Sequence, residues 1–361
     1  MRKLWQTPEI NGLNFSEAEV SEAIKGDKPL LLTLYTPAIC NARCPSCFIT
    51  NTDPDYLELS TKDDVRIIHE AAEMGIRSIK ISGAGEPLIF ADLINIIDQC
   101  ANESIIPVIY TNGSTLGDDT LCENIYKMKS IELIRFLMSR NCSIVYKCNS
   151  FSVDTQDYLL GVKGLSANTY KGLLNLMLMG YNDNQRLALQ TIITPYNFDE
   201  IVQLYRFARK NNITPYFETV LKKGDAKNNT DLYLSDEQIR DIFIKLCEMD
   251  MEEFGIEWFP VPSYVGFQCT ELGYALLIDN FGYAKYCPGI WKSIANIHDM
   301  SLKEIWESDT AKAFRARVNK PMGGKCSECI HKKEGKCGYG CRAYSYLNEG
   351  DVFAEYKECW R

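Results

Sequence analysis

Cysteines mark the places where this chain can do chemistry. Fifteen occur in 361 residues, and they cluster. Cys40, Cys44 and Cys47 stand in "CNARCPSC" with C-x3-C-x2-C spacing. Seven more occupy positions 269, 287, 326, 329, 337, 341 and 359, whereas Cys100, Cys122, Cys142, Cys148 and Cys247 are scattered and read as small core residues. A disulfide framework suits a secreted chain. "MRKLWQTPEI" has no apolar segment behind its basic residues, so no secretory signal is read there and a cytoplasmic location is expected. Clustered thiols then point to metal or catalysis. A closed zinc site takes four ligands and a cubane iron–sulfur cluster offers four corners, so three cysteines leave one position for something else.

Other segments carry polar groups suited to a ligand. In "SGAGEPL" (82–88) the glycines let backbone approach a ligand closely, and Glu86 can accept from an ammonium group. "TNG" (111–113) holds Asn112 at the end of the third strand. None of the three histidines is placed as a catalyst, so acid–base work falls to a carboxylate, a tyrosine or a cysteine. Glu218 in "PYFETVL" and Asp279 in "LLIDNFG" are the catalytic candidates. For Asp279 the plainer reading is that Asp-Asn-x-Gly makes a hairpin turn.

Periodicity supplies the elements that must position these groups. Strands are expected at 30–36, 76–82, 105–111, 142–148, 186–194 and 213–221. Helices alternate with them at 60–75, 90–103, within 118–141, at 167–180 and at 197–211. In the 167–180 helix, Leu173, Leu174, Met177 and Leu178 are expected on one face. Six strands alternating with helices predict a parallel α/β sheet or barrel, short of the eight units of a full one. The cysteine loop, "SGAGEPL" and "TNG" all fall at the carboxyl ends of strands, where α/β folds assemble active sites. "KKGDAKNNTD" (222–231) reads as a boundary, and a capping box at Ser235 opens a last long helix. The segment beyond has few periodic runs and is expected to be held by metal rather than by a core. A net charge of −9 and pI near 5.1 argue against bulk nucleic-acid or anionic-membrane binding, and no apolar run is long enough to span a bilayer.

This constellation resembles the radical S-adenosylmethionine (SAM) enzymes. The resemblance implies a partial (β/α)6 barrel with a [4Fe–4S] cluster on Cys40, Cys44 and Cys47. SAM chelates the open iron, and its reductive cleavage gives a 5′-deoxyadenosyl radical that abstracts hydrogen from a substrate carbon. "GAGEP" is similar to the family's Gly-Gly-Glu-Pro motif, which passes the methionine amino group to Gly83, Gly85 and Glu86. Ala84 stands where glycine is usual, and Ser46 where an aromatic residue often precedes the third cysteine. Asn112, Lys147, Ser150 or Ser152 (competing for the ribose), Gln190 and Thr191 are the further SAM-binding candidates.

The C-terminal cysteines are similar to the seven-cysteine SPASM domain, with seven rather than five residues before Cys337. That resemblance implies two auxiliary [4Fe–4S] clusters. One is held by Cys326, Cys329, Cys337 and Cys359. The other is held by Cys269, Cys287 and Cys341, with no evident fourth cysteine. A four-thiolate zinc ribbon at 326–341 is the alternative for part of this segment. The expected division is an N-terminal extension (1–29), a radical SAM core (30–225), a linker and helix (226–260) and a SPASM domain (261–361). The function implied is radical chemistry on a small polar metabolite, such as an amino sugar or a similar natural-product intermediate. A peptide or protein maturase is the alternative, and a non-enzymatic metal-binding scaffold a remote one. Only 29 residues precede the first strand, too few for an added leader-binding domain, which leans away from a leader-dependent maturase. Several low-potential clusters imply a ferredoxin or flavodoxin as electron donor.

Overall fold

The computed structural model describes residues 10–49, 57–318 and 320–361; most of the stretch read for a targeting signal lies outside them. Six strands pair in parallel in chain order: β1 (Leu31–Thr36), β2 (Ser78–Gly83), β3 (Ile106–Thr111), β4 (Ser143–Lys147), β5 (Leu187–Ile193) and β6 (Thr214–Thr219). Helices α1 (Glu17–Lys25), α2 (Thr61–Glu73), α3 (Leu93–Asn102), α4 (Asp119–Tyr126), α5 (Ser130–Ser139), α6 (Val153–Leu160), α7 (Leu165–Leu178) and α8 (Ile201–Lys210) accompany them. Each begins or packs for a legible reason. Ser60 opens α2 with a capping box, satisfying amides that the first turn leaves unpaired. In α8, Ile201, Leu204, Tyr205 and Ala208 make one buried stripe at helical spacing.

The two faces of the sheet divide the labour. Leu32, Leu34, Ile79, Ile81, Ile109, Ile144, Leu189 and Phe217 belong to the large core shared with the helices. The opposite face carries Val108, Val145 and Ala188, and these are covered by Ile10 and Leu13. The N-terminal segment is tied there by Asn11 N donating to Gln185 O (2.8 Å) and Ser143 Oγ donating to Asn11 O (2.7 Å). Part of the expected N-terminal extension is thus a floor beneath the inner face.

In α7 the buried side is Thr169, Gly172, Leu173 and Leu176, while Leu174 and Leu178 are exposed; the leucines are numerous enough to suggest a wider stripe than the helix buries. Three expectations need correction. The stretch read as a boundary after β6 packs against the cysteine loop. Ala226 N donates to Cys47 O (3.3 Å), and Asn229 Nδ2 to Pro45 O (2.9 Å). The C-terminal segment does have cores of its own: Leu272, Tyr286, Ile290, Val352 and Phe353 form one, and Met322, Tyr339, Tyr344 and Tyr356 cluster around Cys326 in another. Aromatics spaced without helical or strand period hid them. Nor is that segment attached by a tether. Strand β7 (Ala275–Ile278) pairs in parallel with β1, followed by antiparallel β8 (Tyr283–Cys287) and β9 (Ile290–Asn296), so one nine-stranded sheet runs through the molecule.

The edge strand β6 is covered as well. Val265 N donates to Phe217 O (2.9 Å) and Thr219 N to Ser263 O (3.1 Å), which removes free edge groups. Those residues follow helix α9 (Asp236–Met249) and its final wider turn over Asp250–Phe254. No helix among the described residues is long and apolar enough to cross a membrane.

Candidate active site at the cysteine loop

Strand β1 delivers the chain to the loop that holds Cys40, Cys44 and Cys47, and the loop is pinned on three sides. Glu86 N donates to Ile39 O (2.8 Å), Asn112 Nδ2 donates to Asn41 Oδ1 (2.9 Å), and Arg43 N donates to Leu160 O (2.8 Å) at the end of α6. Asn41 Nδ2 in turn donates to Ser114 Oγ (2.9 Å). Gly85 is glycine because a Cβ there would lie 2.0 Å from Ile39 O, and a Cβ at Gly83 would lie 2.8 Å from Thr36 Oγ1. The small residues of "GAGEP" therefore admit the cysteine loop itself.

The three thiols share one neighbourhood. Burial pushes Cys40 up to about 11, with smaller contributions from Glu86, Cys44 and Cys47. Burial also raises Cys47, against the pull of Lys147. Lys147 ends β4 facing this loop. Burial lowers its pKa, but Cys44, Cys47, Glu218 and Cys40 outweigh that and raise it.

Glu86 is buried at 5% exposure and already engaged. Its Oε1 accepts from Leu88 N (3.0 Å) and from the Thr111 hydroxyl, and Oε2 accepts from Asn112 N (2.7 Å). A carboxylate has about four lone-pair sites, so one remains for an ammonium group. Glu86 is first of all a brace between the ends of β2 and β3. Asn112 is likewise committed to Asn41 and, through Oδ1, to Ser114 N (2.9 Å).

At the end of β4 and on β5 the structure sorts the candidates. Ser150 is fully buried and its hydroxyl donates to Glu200 Oε1 (2.6 Å), while Ser152 caps α6. Neither hydroxyl is directed to the loop. Thr191 is turned away as well, donating to Cys148 O (2.6 Å). Gln190 pairs in register with Lys147, and its Nε2 donates to Glu218 Oε1 (2.7 Å) on β6. The alternation of strand side chains explains the split between Gln190 and Thr191. Asp279 serves the turn: its Oδ1 accepts from Phe281 N and Tyr283 N, and its Oδ2 meets Lys285 Nζ (2.5 Å).

Burial pushes Glu218 up to about 7, against Gln190 and the ammonium groups of Lys147 and Lys80. The native chain therefore keeps a proton that the unfolded chain releases between about pH 4.5 and 7. This group subtracts stability as pH rises through that window. Glu218→Gln is expected to raise the anaerobic melting temperature more at pH 8 than at pH 5. An equal shift at both pH values would show that the carboxyl titrates normally.

Beyond Glu218 the inner face continues in residues that sequence reading missed. Lys80 Nζ meets Glu271 Oε2 (2.6 Å), and Tyr110, Tyr216, Phe267 and Tyr264 form a chain of ring contacts. Lys80 had a signal: a lysine inside a strand flanked by parallel neighbours is seldom buried without a partner. This lining reaches the second set of cysteines. Burial pushes Cys269, Cys287 and Cys341 each up to about 12; Cys341 contributes at Cys269, Cys269 at Cys287 and Cys287 at Cys341. Cys247 is not among them, its thiol donating to Trp258 O (3.1 Å). Cys326, Cys329, Cys337 and Cys359 form the other neighbourhood, with Cys359 and Cys329 raising Cys337, and Cys326 and Cys329 raising Cys359, after burial.

All fifteen cysteines are free thiols. Among the described residues no three His, Cys, Asp or Glu side chains gather tightly enough to share a single metal ion. Thiols grouped in threes and fours are the donor type that iron–sulfur clusters take.

Residues 269–330 match the SPASM family, described as an iron-sulfur cluster-binding domain. A GTP 3',8-cyclase of Clostridium perfringens is 28% identical over 200 residues, covering 52% of this chain and 54% of the cyclase. An S-adenosylmethionine-dependent nucleotide dehydratase of Lacinutrix mariniflava is 24% identical over 237 residues, covering 64% of this chain and 46% of the dehydratase. The chain thus spans about half the length of these curated relatives. In fold it is similar to Streptococcus suis SuiB bound to S-adenosylmethionine, with TM-score 0.66, 18% identity and coverage of 95% of this chain and 81% of SuiB. The fold is the partial barrel expected of radical SAM enzymes, and residues 269–330 carry the SPASM domain. Radical SAM enzymes are thus this chain's neighbours in both sequence and fold.

Proposed function

We propose that this chain is a radical SAM enzyme acting on a small polar metabolite. The observation that carries the reading is the loop of three neighbouring thiols, locked by Gly85, Glu86 and Asn112 at one end of the sheet and faced by Lys147. With a [4Fe–4S] cluster and SAM in place, the site supplies a 5′-deoxyadenosyl radical that takes hydrogen from a substrate carbon. Cys40, Cys44 and Cys47 would hold that cluster, and Cys269, Cys287, Cys341 and Cys326, Cys329, Cys337, Cys359 the two auxiliary ones. The backbone at Gly83 and Gly85 and the remaining lone pair of Glu86 would receive the methionine amino group, and Lys147 its carboxylate. Gln190 and Glu218, hydrogen-bonded to each other, would meet the substrate, and Glu218 can keep or release a proton near neutral pH. Ile10 and Leu13 exclude water from below.

The metabolite reading is supported by the polar lining of Lys80, Gln190, Glu218 and Glu271, and by relatives named for action on GTP and on nucleotides. A peptide substrate is the second reading, because SuiB is also solved with its precursor peptide SuiA. A ferredoxin or flavodoxin in the cytoplasm fits as electron donor.

The test is direct. Anaerobically reconstituted, reduced protein is expected to convert SAM into 5′-deoxyadenosine and methionine, and to lose that activity on prolonged exposure to air. Fully iron-loaded protein that makes no 5′-deoxyadenosine under strong reductant would overturn the reading.

A further inference from the structure

Lysines crowd the interior of an otherwise acidic protein. Two of them are neutralised, Lys80 by Glu271 at 2.6 Å and Lys285 by Asp279 at 2.5 Å. Lys147 faces the first cysteine loop and belongs to the SAM site. Lys223 is different. It is half-buried, and among the described residues no carboxylate lies within 4.0 Å of its ammonium group. Its one hydrogen bond among them goes to Pro288 O (2.7 Å), next to Cys287.

The backbone fixes this direction. Lys222, its neighbour, points outward to Glu358 (2.9 Å). Gly224 has φ +61°, and a Cβ there would meet Cys47 O at 2.7 Å, so the turn is pressed against the cysteine loop and only glycine fits. Lys223 therefore stands between the two sets of cysteines. The charges around it are Lys285 and Asp279, with Cys47 on one side and Cys287 on the other. Lys285 is already paired with Asp279 at 2.5 Å, which leaves Lys223 as the ammonium of the two that can take a further anion. A lysine is a compact point charge suited to phosphate. The net charge of −9 makes a cationic spot here a local feature rather than a consequence of composition.

We propose that Lys223 anchors a phosphate group of the substrate between the cysteine loop and Cys287, and that the substrate is a nucleoside phosphate. The inference rests on the reading of the chain as a radical SAM enzyme on a small metabolite. The probes are the four ribonucleoside triphosphates, each titrated beside its nucleoside into iron-loaded protein with SAM, by anaerobic calorimetry. At least one triphosphate is expected to bind at least tenfold more tightly than its nucleoside. Lys223→Met is expected to weaken that triphosphate at least tenfold without changing nucleoside affinity, and Lys223→Arg to restore most of it. Iron content and the visible spectrum of each variant are compared with the parent, and Lys223→Gln replaces Lys223→Met if the latter loads iron poorly.

Absence of triphosphate binding, affinity within twofold in the neutral variants, or equal losses in Lys223→Met and Lys223→Arg would each overturn the proposal. The parent protein's SAM cleavage without substrate is scored separately. If cleavage is present and triphosphates do not bind, Lys223 is wrongly assigned; if cleavage itself is absent, the enzyme reading has failed.

Discussion

Protein with Cys40, Cys44 and Cys47 all changed to alanine is expected to stay folded, to lose about one third of its iron, and to stop cleaving SAM. The loop is pinned by backbone and amide contacts at Ile39, Asn41 and Arg43, none of which uses a thiol. Its fold therefore survives removal of the sulfurs. The other two cysteine neighbourhoods belong to different elements and keep their iron. Iron per chain, far-ultraviolet circular dichroism and 5′-deoxyadenosine yield are measured on the same sample. Cleavage close to that of the parent, or loss of nearly all iron, would refute the assignment.

A single methyl group is expected to be almost as damaging. In Gly85→Ala the new Cβ would lie 2.0 Å from Ile39 O and 2.6 Å from Ile39 N and C, all backbone atoms. Ile39 cannot yield cheaply, because its carbonyl accepts from Glu86 N and its amide donates to Pro37 O, both at 2.8 Å. Relief requires the loop to shift by roughly 1 Å, a displacement that costs on the order of a hundredfold when reacting groups must be aligned. SAM cleavage should fall by about that factor, with a stability loss of about 1–3 kcal/mol from overpacking. Activity within threefold of the parent would mean that the "GAGEP" turn and the cysteine loop are not mechanically linked.

The sequence made the scaffold legible where periodicity is strong. All six parallel strands and their helices stand close to the expected bounds, because runs such as "LLLTLYT" are buried on both faces and Ser60 and Ser235 carry capping boxes. What was not legible depended on contacts remote in sequence. Nothing in "EINGL" announces that Ile10 and Leu13 close the underside of the sheet. The burial of Leu173 without Leu174 depends on what α7 meets, and period alone cannot supply that. Glu86 and Asn112 were picked out as ligand contacts. The Glu86 carboxylate is largely spent on Leu88 N, the Thr111 hydroxyl and Asn112 N, and the Asn112 amide on Asn41 and Ser114, roles visible only once β2, β3 and the loop are adjacent. Ser150 and Thr191 fell to the wrong side because a strand-end serine or threonine can point either way until register is fixed.

Strand β1 is flanked by β2 on one side and β7 on the other, with Leu31–Leu34 paired to Ala275–Ile278. A chain cut short before β7 would not release a self-sufficient barrel. It would leave β1 as a bare outer strand of buried, apolar residues with a full row of unpaired amides and carbonyls, a template for aggregation. The C-terminal segment is thus a structural completion of the barrel, and the two regions should unfold in one cooperative transition rather than two.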